Sequence, residues 1–269
     1  MFSVLVPTDY TPKTLQALEL AAGLVKEKGG VIHLLHVIDN GPELQQEVVV
    51  SAREALFEYT RHHQVELGVT IIPHIVSGYI FTSIGDMASR LGVELIIMGV
   101  HGVHGIQFII GSFAVRVILG SVVPVLLISG DTPSQQFRNI VLPYDTEARM
   151  EFLLESTIAF ARRHNSTIHL YAVLSQLSFF SKRRVRNRIK KAVKLIRKSG
   201  LNCQSVIMEG DAQNLSSGVL QYAGSINAEL IALTMQNQNG SSEYLVGKTA
   251  SQLVEQSKIP LYIVNPLKR

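Results

Sequence analysis

The segment Val4-Leu-Val-Pro-Thr-Asp9 decides the fold, because a related segment, Val141-Leu-Pro-Tyr-Asp145, follows it later in the chain. The aspartates of the two segments lie 136 residues apart. Other pairs keep this spacing: His33 and His169, Gly111 and Gly247, and Pro124 and Pro260. A constant spacing over separate landmarks indicates an internal duplication. The sequence therefore predicts two tandem domains, residues 1–132 and 137–269, joined by a stretch rich in turn residues.

Each repeat alternates short apolar runs with segments of helical periodicity. Leu95-Ile-Ile-Met98 is apolar on both faces, as a buried parallel strand must be. Glycines at 29–30 and at 92 are expected to end the helices that precede them. Strands that alternate with helices predict an α/β fold, in which each domain is a five-stranded, parallel, doubly wound sheet of Rossmann-like type. Ligands of such sheets bind at the carboxyl ends of the strands, at the topological switch point.

The composition excludes several classes of protein. Hydrophobic residues make up 46% of the 269 residues and charged residues 17%, which excludes a disordered chain. Because Cys203 is the single cysteine, neither a disulfide framework nor a cysteine-based zinc site can form, and we expect an inert core thiol. The amino terminus shows no signal-peptide pattern, so we expect a cytoplasmic protein. The apolar stretch Ile106 to Ile128 contains Arg116 and Pro124 and is not expected to span a membrane.

Charge is unevenly distributed between the repeats. Residues 1–136 carry seven basic and twelve acidic residues, and residues 137–269 carry eighteen and nine. Ten basic residues lie between Lys182 and Lys198, with Val185 and Ile189 among the apolar positions at helical spacing. This pattern predicts an amphipathic helix with a solvated basic face. Binding of RNA or a lipid surface is the alternative, and nucleic acid is not the expected partner.

The loop after Met98 is rich in glycine. It reads Gly99-Val-His-Gly102-Val-His-Gly105, and later Gly111-Ser112 opens a helix. Glycines allow a backbone to turn tightly and to approach a ligand closely. The free N–H groups and the positive end of a helix dipole favour a phosphate. The loop therefore indicates an anion-binding turn at the carboxyl edge of the predicted sheet.

Pro7-Thr8-Asp9 together with this glycine loop resembles the universal stress proteins of the UspA type. The nucleotide-binding branch of that family has Gly, two residues, Gly, nine residues, Gly, then Ser or Thr. This chain has eight residues between Gly102 and Gly111. The resemblance covers both repeats and implies Rossmann-like domains of the adenine nucleotide alpha hydrolase-like type. It also implies that the amino-terminal domain binds ATP, or AMP or ADP, as part of a stress-response regulator.

The resemblance also implies the binding residues. Asp9 and the backbone of Val37 would hold adenine and ribose, while the loop glycines and Ser112 would hold the phosphates. The complete implied set is Pro7, Thr8, Asp9, Val37, Met98, Gly99, Gly102, Gly111, Ser112 and Phe113.

The second repeat departs from the nucleotide-binding pattern. Thr234 and Asn237 replace the first two glycines, and Lys248 replaces the serine. A Cβ atom at both glycine positions should obstruct the approach of phosphate, so binding is expected in the first domain alone. Gly247-Lys248 is not a P-loop, because that motif needs a glycine at position 242, which is serine.

Simpler explanations exist for the same residues. Asp9 can cap the helix that begins near Pro12, and the glycines can form a turn with no ligand.

His101 and His104, with His62-His63 or His74, are not expected to bind a metal, since no established ligand spacing is present. No nucleophile–base pair indicates an enzyme, although weak ATP hydrolysis stays open. The alternatives are a nucleotide-free dimerisation or partner-binding module and, less favoured, an adenylyl-transfer enzyme.

The last strand of each repeat predicts how the domains associate. Val123–Ile128 and Ile259–Val264 are apolar and would each lie at a sheet edge, where pairing covers exposed backbone groups. We therefore expect an intramolecular pseudo-dimer of the two domains, with a homodimer as a further option. Residues 1–132 expressed alone should self-associate or aggregate in sedimentation experiments. A stable, soluble monomer at micromolar concentration would contradict this prediction.

Overall fold

The duplication appears in the structure as two units. The computed structural model describes residues 1–39, 46–99, 112–128, 136–144, 150–174, 179–209, 215–235 and 248–266. The chain divides into Met1–Gln135 and Gln136–Leu267. No helix among these described residues is both long enough and apolar enough to cross a membrane.

In its described residues the first unit contains five strands and four helices in alternation. They are β1 (Ser3–Pro7), α1 (Pro12–Lys28), β2 (Val31–Asp39), α2 (Gln46–Leu67), β3 (Thr70–Gly78), α3 (Ile80–Leu91), β4 (Leu95–Gly99), α4 (Ser112–Gly120) and β5 (Val125–Ile128). All strands are parallel, in the order β3-β2-β1-β4-β5. Val4 of β1 is aligned with Ile32 of β2 and with Leu95 of β4. The chain order therefore reverses between β1 and β4.

The second unit repeats this architecture. Its elements are β6 (Asn139–Pro143), α5 (Met150–His164), β7 (Thr167–Leu174), α6 (Phe179–Lys198), β8 (Cys203–Glu209), α7 (Leu215–Ser225), β9 (Leu230–Thr234), α8 (Lys248–Gln256) and β10 (Leu261–Val264). The parallel order is β10-β9-β6-β7-β8. The prediction of two doubly wound α/β domains is confirmed.

The strands form the core because they are apolar on both faces. Val4, Leu5 and Val6 of β1 have no solvent-exposed surface, as expected for a central strand covered by helices on each side. Helices α1 and α3 end at Gly29 and Gly92, whose φ angles of 65° and 63° lie in the left-handed region that glycine adopts readily. These are the helix ends that the sequence predicts.

The backbones of α3 and α4 approach each other at two glycines. A Cβ atom at Gly85 would lie 2.8 Å from the carbonyl oxygen of Gly120, and one at Gly120 would lie 2.9 Å from that of Phe81. The corresponding positions of the second unit, 135 and 136 residues later, are Leu220 and Gln256. The helix pair of the first unit therefore has a backbone contact that these side chains would prevent.

The basic segment of the second unit is an amphipathic helix, as predicted. In α6 a buried stripe of Val185, Ile189, Ala192 and Ile196 contacts the core. Most of its Lys and Arg side chains are exposed, while Glu209 of β8 accepts from Arg186 at 3.2 Å. The apolar stripe explains why this highly charged segment is ordered.

Cys203 is also placed as predicted. The side chain is buried in β8, and burial raises the pKa of its thiol to about 11. A thiol with such a pKa is protonated at neutral pH and is a poor nucleophile.

Candidate functional site

The candidate site lies where β1 and β4 end side by side. Because β1 is paired with β2 on one side and with β4 on the other, the carboxyl ends of the three strands share one edge of the sheet. Asp9 follows β1, Gly99 ends β4, and Val37 lies near the end of β2. The structure therefore brings these three predicted site residues to the switch point, where doubly wound sheets bind ligands.

Asp9 is held in place by the start of α1. Its Oδ1 atom accepts hydrogen bonds from the Thr11 N–H at 3.1 Å, the Thr11 hydroxyl at 2.7 Å and the Thr14 hydroxyl at 2.7 Å. The residue is exposed, so the carboxylate is fixed in direction while it remains accessible to solvent. The N-cap residue of α1 is Thr11 and not Asp9, so Asp9 forms a turn ahead of the helix, and its exposed carboxylate can also contact a ligand.

The turn before α1 is built by Thr8 and Tyr10. The Thr8 N–H donates to the Leu35 carbonyl at 2.8 Å, and the Thr8 hydroxyl accepts from the Tyr10 N–H at 3.0 Å. Tyr10 has a φ of 63°, a left-handed conformation that is uncommon for a bulky residue. Its ring centroid lies 5.0 Å from that of His36 and 5.2 Å from that of Tyr59, so packing compensates for the strained backbone.

His36 ties β2 to this turn. Its Nδ1–H donates to the Thr8 carbonyl at 3.0 Å. The Tyr10 hydroxyl, in contrast, is buried and has no hydrogen-bond partner within the described part of the chain. Burial raises the pKa of Tyr10, which keeps the phenol neutral. The sequence interpretation did not select His36 or Tyr10, although a histidine in a strand and a tyrosine directly after Asp9 were visible signals.

Gly99 has a packing role that the sequence interpretation missed. A Cβ atom at this position would overlap the Lys13 carbonyl oxygen and would lie 2.7 Å from the Lys13 carbonyl carbon. The end of β4 therefore contacts the first turn of α1 directly. Lys13 also lies beside the candidate site, and its position one residue after Pro12 is the only signal the sequence offers for it.

Some of the remaining predicted site residues are described by the structure, and others are not. Val37 and Met98 are buried, at 9% and 4% exposure, so both belong to the core of the sheet. Pro7 ends β1, and Ser112 and Phe113 begin α4. Gly102 and Gly111 lie outside the described residues, as do His101 and His104.

The second unit contains part of the same framework. The Tyr144 N–H donates to the Tyr171 carbonyl at 2.7 Å, which matches the bond from Thr8 to Leu35. However, β9 ends at Thr234, which carries a Cβ atom where Gly99 has none. Asp145 and Asn237 lie outside the described residues.

Three histidines lie within the sheets, where His169 is buried and His33 and His74 are half-buried. His33 Nδ1 and His74 Nε2 are 2.8 Å apart across β2 and β3. His169, the counterpart of His33 in the second unit, lies 3.0 Å from the Tyr222 hydroxyl and 3.1 Å from Asn139 Oδ1. Burial lowers the pKa of all three imidazoles, and the charges of His74 and Arg90 lower the pKa of His33 and of His74 respectively. These histidines are therefore structural polar groups of the sheets that stay neutral at pH 7.

Comparison with known proteins gives relatives for each repeat. Residues 1–129 and 136–265 each match the universal stress protein family. Universal stress protein A homolog 1 of Coxiella burnetii is 27% identical over 124 residues, which are 41% of this chain and 84% of that protein. A universal stress protein of Methanocaldococcus jannaschii is 26% identical over 136 residues, covering 46% of this chain and 80% of that protein.

A similar fold is found across the whole chain. The crystal structure of a universal stress protein from Archaeoglobus fulgidus has a TM-score of 0.74 and 20% identity, covering 98% of both chains. At this level of identity the match concerns the fold. Because the family matches both repeats and together the matches span nearly all of the sequence, the chain belongs to the universal stress protein family, with one family domain in each half.

Proposed function

We propose that the amino-terminal domain binds an adenine nucleotide, ATP or its products AMP and ADP, and that the protein is a nucleotide-responsive regulator of a stress response. The observation that carries the proposal is that Asp9 and Gly99 lie at the ends of two adjacent strands, at the switch point of the first sheet. An exposed, oriented carboxylate can accept from ribose hydroxyls. A glycine-rich sequence that precedes the amino terminus of a helix, here α4, suits phosphate.

The second domain serves as an internal comparison for this proposal. It has the same sheet order, yet Thr234 stands at the position of Gly99 and Asn237 at that of Gly102. A side chain at these positions takes up space that a phosphate would need. The proposal is therefore one nucleotide per chain, bound by the first domain. It includes a cytoplasmic protein that regulates and is not a metabolic enzyme.

We expect the purified chain to release an adenine nucleotide on denaturation, identifiable by mass, and to bind ATP with a stoichiometry near one in calorimetry. Gly102→Val should weaken binding about 5- to 30-fold, because the side chain removes one or two hydrogen bonds to phosphate of about 1 kcal/mol each. Asn237→Val is the matched control at the equivalent position of the second domain and should leave the affinity unchanged.

A second candidate function is supported by the contacts that Asp9 and Gly99 make within the protein. The bonds from Asp9 to α1 and the contact between Gly99 and Lys13 explain both residues without any ligand. A nucleotide-free module for dimerisation or partner binding is therefore the alternative function. Calorimetry decides between the two, because absence of binding, or a stoichiometry near two, would contradict the nucleotide proposal. The intramolecular pairing of the domains stays a prediction in either case.

A further inference from the structure

Three side chains with metal-binding atoms lie close together near the carboxyl end of α2. His63 Nδ1 lies 2.9 Å from Glu66 Oε2, and His62 Nε2 lies 3.7 Å from the same oxygen. The three ligand atoms are all within 4.8 Å of one another. The sequence interpretation considered the two histidines and did not pair them with Glu66, which stands one helical turn after them.

The spacing of these atoms matches that around a tetrahedral ion. Nitrogen and oxygen ligands about 2.0–2.2 Å from zinc, at tetrahedral angles, lie about 3.3–3.5 Å apart. The two separations from Glu66 fall on either side of that value, so small rotations of the side chains would bring both histidines into position. His62 and Glu66 are 70% and 58% exposed, which leaves solvent access for a water ligand at the fourth position.

The segment that carries the cluster is held firmly. The His63 side chain is only 10% exposed, and its ring centroid lies 4.3 Å from that of Tyr59 and 4.9 Å from that of His62. The Gln64 side chain accepts from the Ile71 N–H at 3.0 Å, which anchors this turn of α2 to β3. A ligand with a fixed orientation loses less conformational entropy when it binds an ion.

We propose that His62, His63 and Glu66 bind a divalent transition-metal ion, with Zn²⁺ as the ion that fits the geometry. Two imidazoles and a carboxylate suit zinc and its neighbours, whereas Mg²⁺ and Ca²⁺ take oxygen ligands. The ion replaces the proton that His63 Nδ1 shares with Glu66. The site lies on α2, and the proposal does not require the nucleotide proposal.

Zinc titration of the full chain tests the site. After removal of metal with a chelator, calorimetry without nucleotide should show one Zn²⁺ bound by His62, His63 and Glu66, and Zn²⁺ should raise the midpoint of thermal unfolding. Glu66→Gln should weaken this binding at least about 10-fold and abolish the rise of the midpoint. Glu66 is exposed, so the variant should fold, which an unchanged midpoint in chelator verifies.

Two control variants separate this site from other histidines and carboxylates. Glu58→Gln lies on the same helix, is 68% exposed and pairs with Arg61, so zinc affinity should be unchanged. His74→Gln removes one member of the half-buried histidine pair and should also leave the affinity unchanged. Zinc binding that is equally tight in wild type and in Glu66→Gln would overturn the proposal, and so would the absence of binding by the wild type at 100-fold excess of Zn²⁺.

Discussion

Replacing Gly99 with alanine is expected to destabilise the first domain by about 2–3 kcal/mol, even when no nucleotide is present. The added methyl group would overlap the Lys13 carbonyl oxygen and approach its carbon at 2.7 Å. Both atoms belong to the backbone of the first turn of α1, which is anchored through the hydrogen bonds between Asp9 and Thr14. This turn cannot move away without breaking those bonds, so the strain remains in the folded state.

Urea unfolding of the full chain, without nucleotide, measures this effect. Gly224→Ala is the matched control, because a Cβ atom there meets nothing within 4 Å in helix α7. That variant should be neutral or more stable by up to about 1 kcal/mol, since alanine favours helix over glycine. If Gly99→Ala unfolds like the wild type and loses only nucleotide affinity, Gly99 serves the phosphate alone and the packing interpretation is wrong.

Acidification from pH 7 to pH 5 is expected to destabilise the protein through three histidines of its sheets. His33, His74 and His169 have pKa values lowered by burial in the folded state. The unfolded chain therefore binds more protons than the folded chain in this range. The stabilisation is complete above the ordinary histidine pKa of about 6.5 and is lost as the pH falls through the lower folded-state values.

The slope of unfolding free energy against pH provides the measurement. Each histidine that is protonated only in the unfolded state contributes about 1.4 kcal/mol per pH unit. His74→Gln keeps an amide able to hydrogen bond to His33. It should lower the slope of the unfolding free energy between pH 6.5 and 5 by about 1.4 kcal/mol per pH unit, the contribution of one proton. Equal slopes in wild type and in His74→Gln would show that the pair does not titrate as inferred.

The architecture could be predicted from the sequence because duplication and periodicity are local signals. The matching spacing of Asp9 and Asp145 gave the tandem domains, and runs such as Leu95–Met98 gave buried parallel strands. Glycines 29 and 92 marked helix ends because their left-handed conformation depends on neighbouring residues alone.

The candidate site could be predicted only in part, since its interactions join residues far apart in the chain. Gly99 was linked to phosphate, but its contact with Lys13 depends on the packing of β4 against α1. The ring contact of Tyr10 with His36 likewise requires the pairing of β1 with β2. The closeness of Glu66 to His62 and His63 follows from helical periodicity. The spacing of these three residues, however, is not that of an established metal motif.

The two glycines that bring α3 and α4 together have a consequence for mutational tolerance. Every single-base change of a glycine codon that alters the residue introduces a side chain with a Cβ atom or stops translation. Gly85 and Gly120 each face a backbone carbonyl that such an atom would approach within 3 Å. Neither position can be relieved by shortening a neighbouring side chain, because the obstructing atoms are not side chains. Substitutions at these two glycines are therefore expected to destabilise the first domain, whereas the second domain has side chains, Leu220 and Gln256, at the equivalent places.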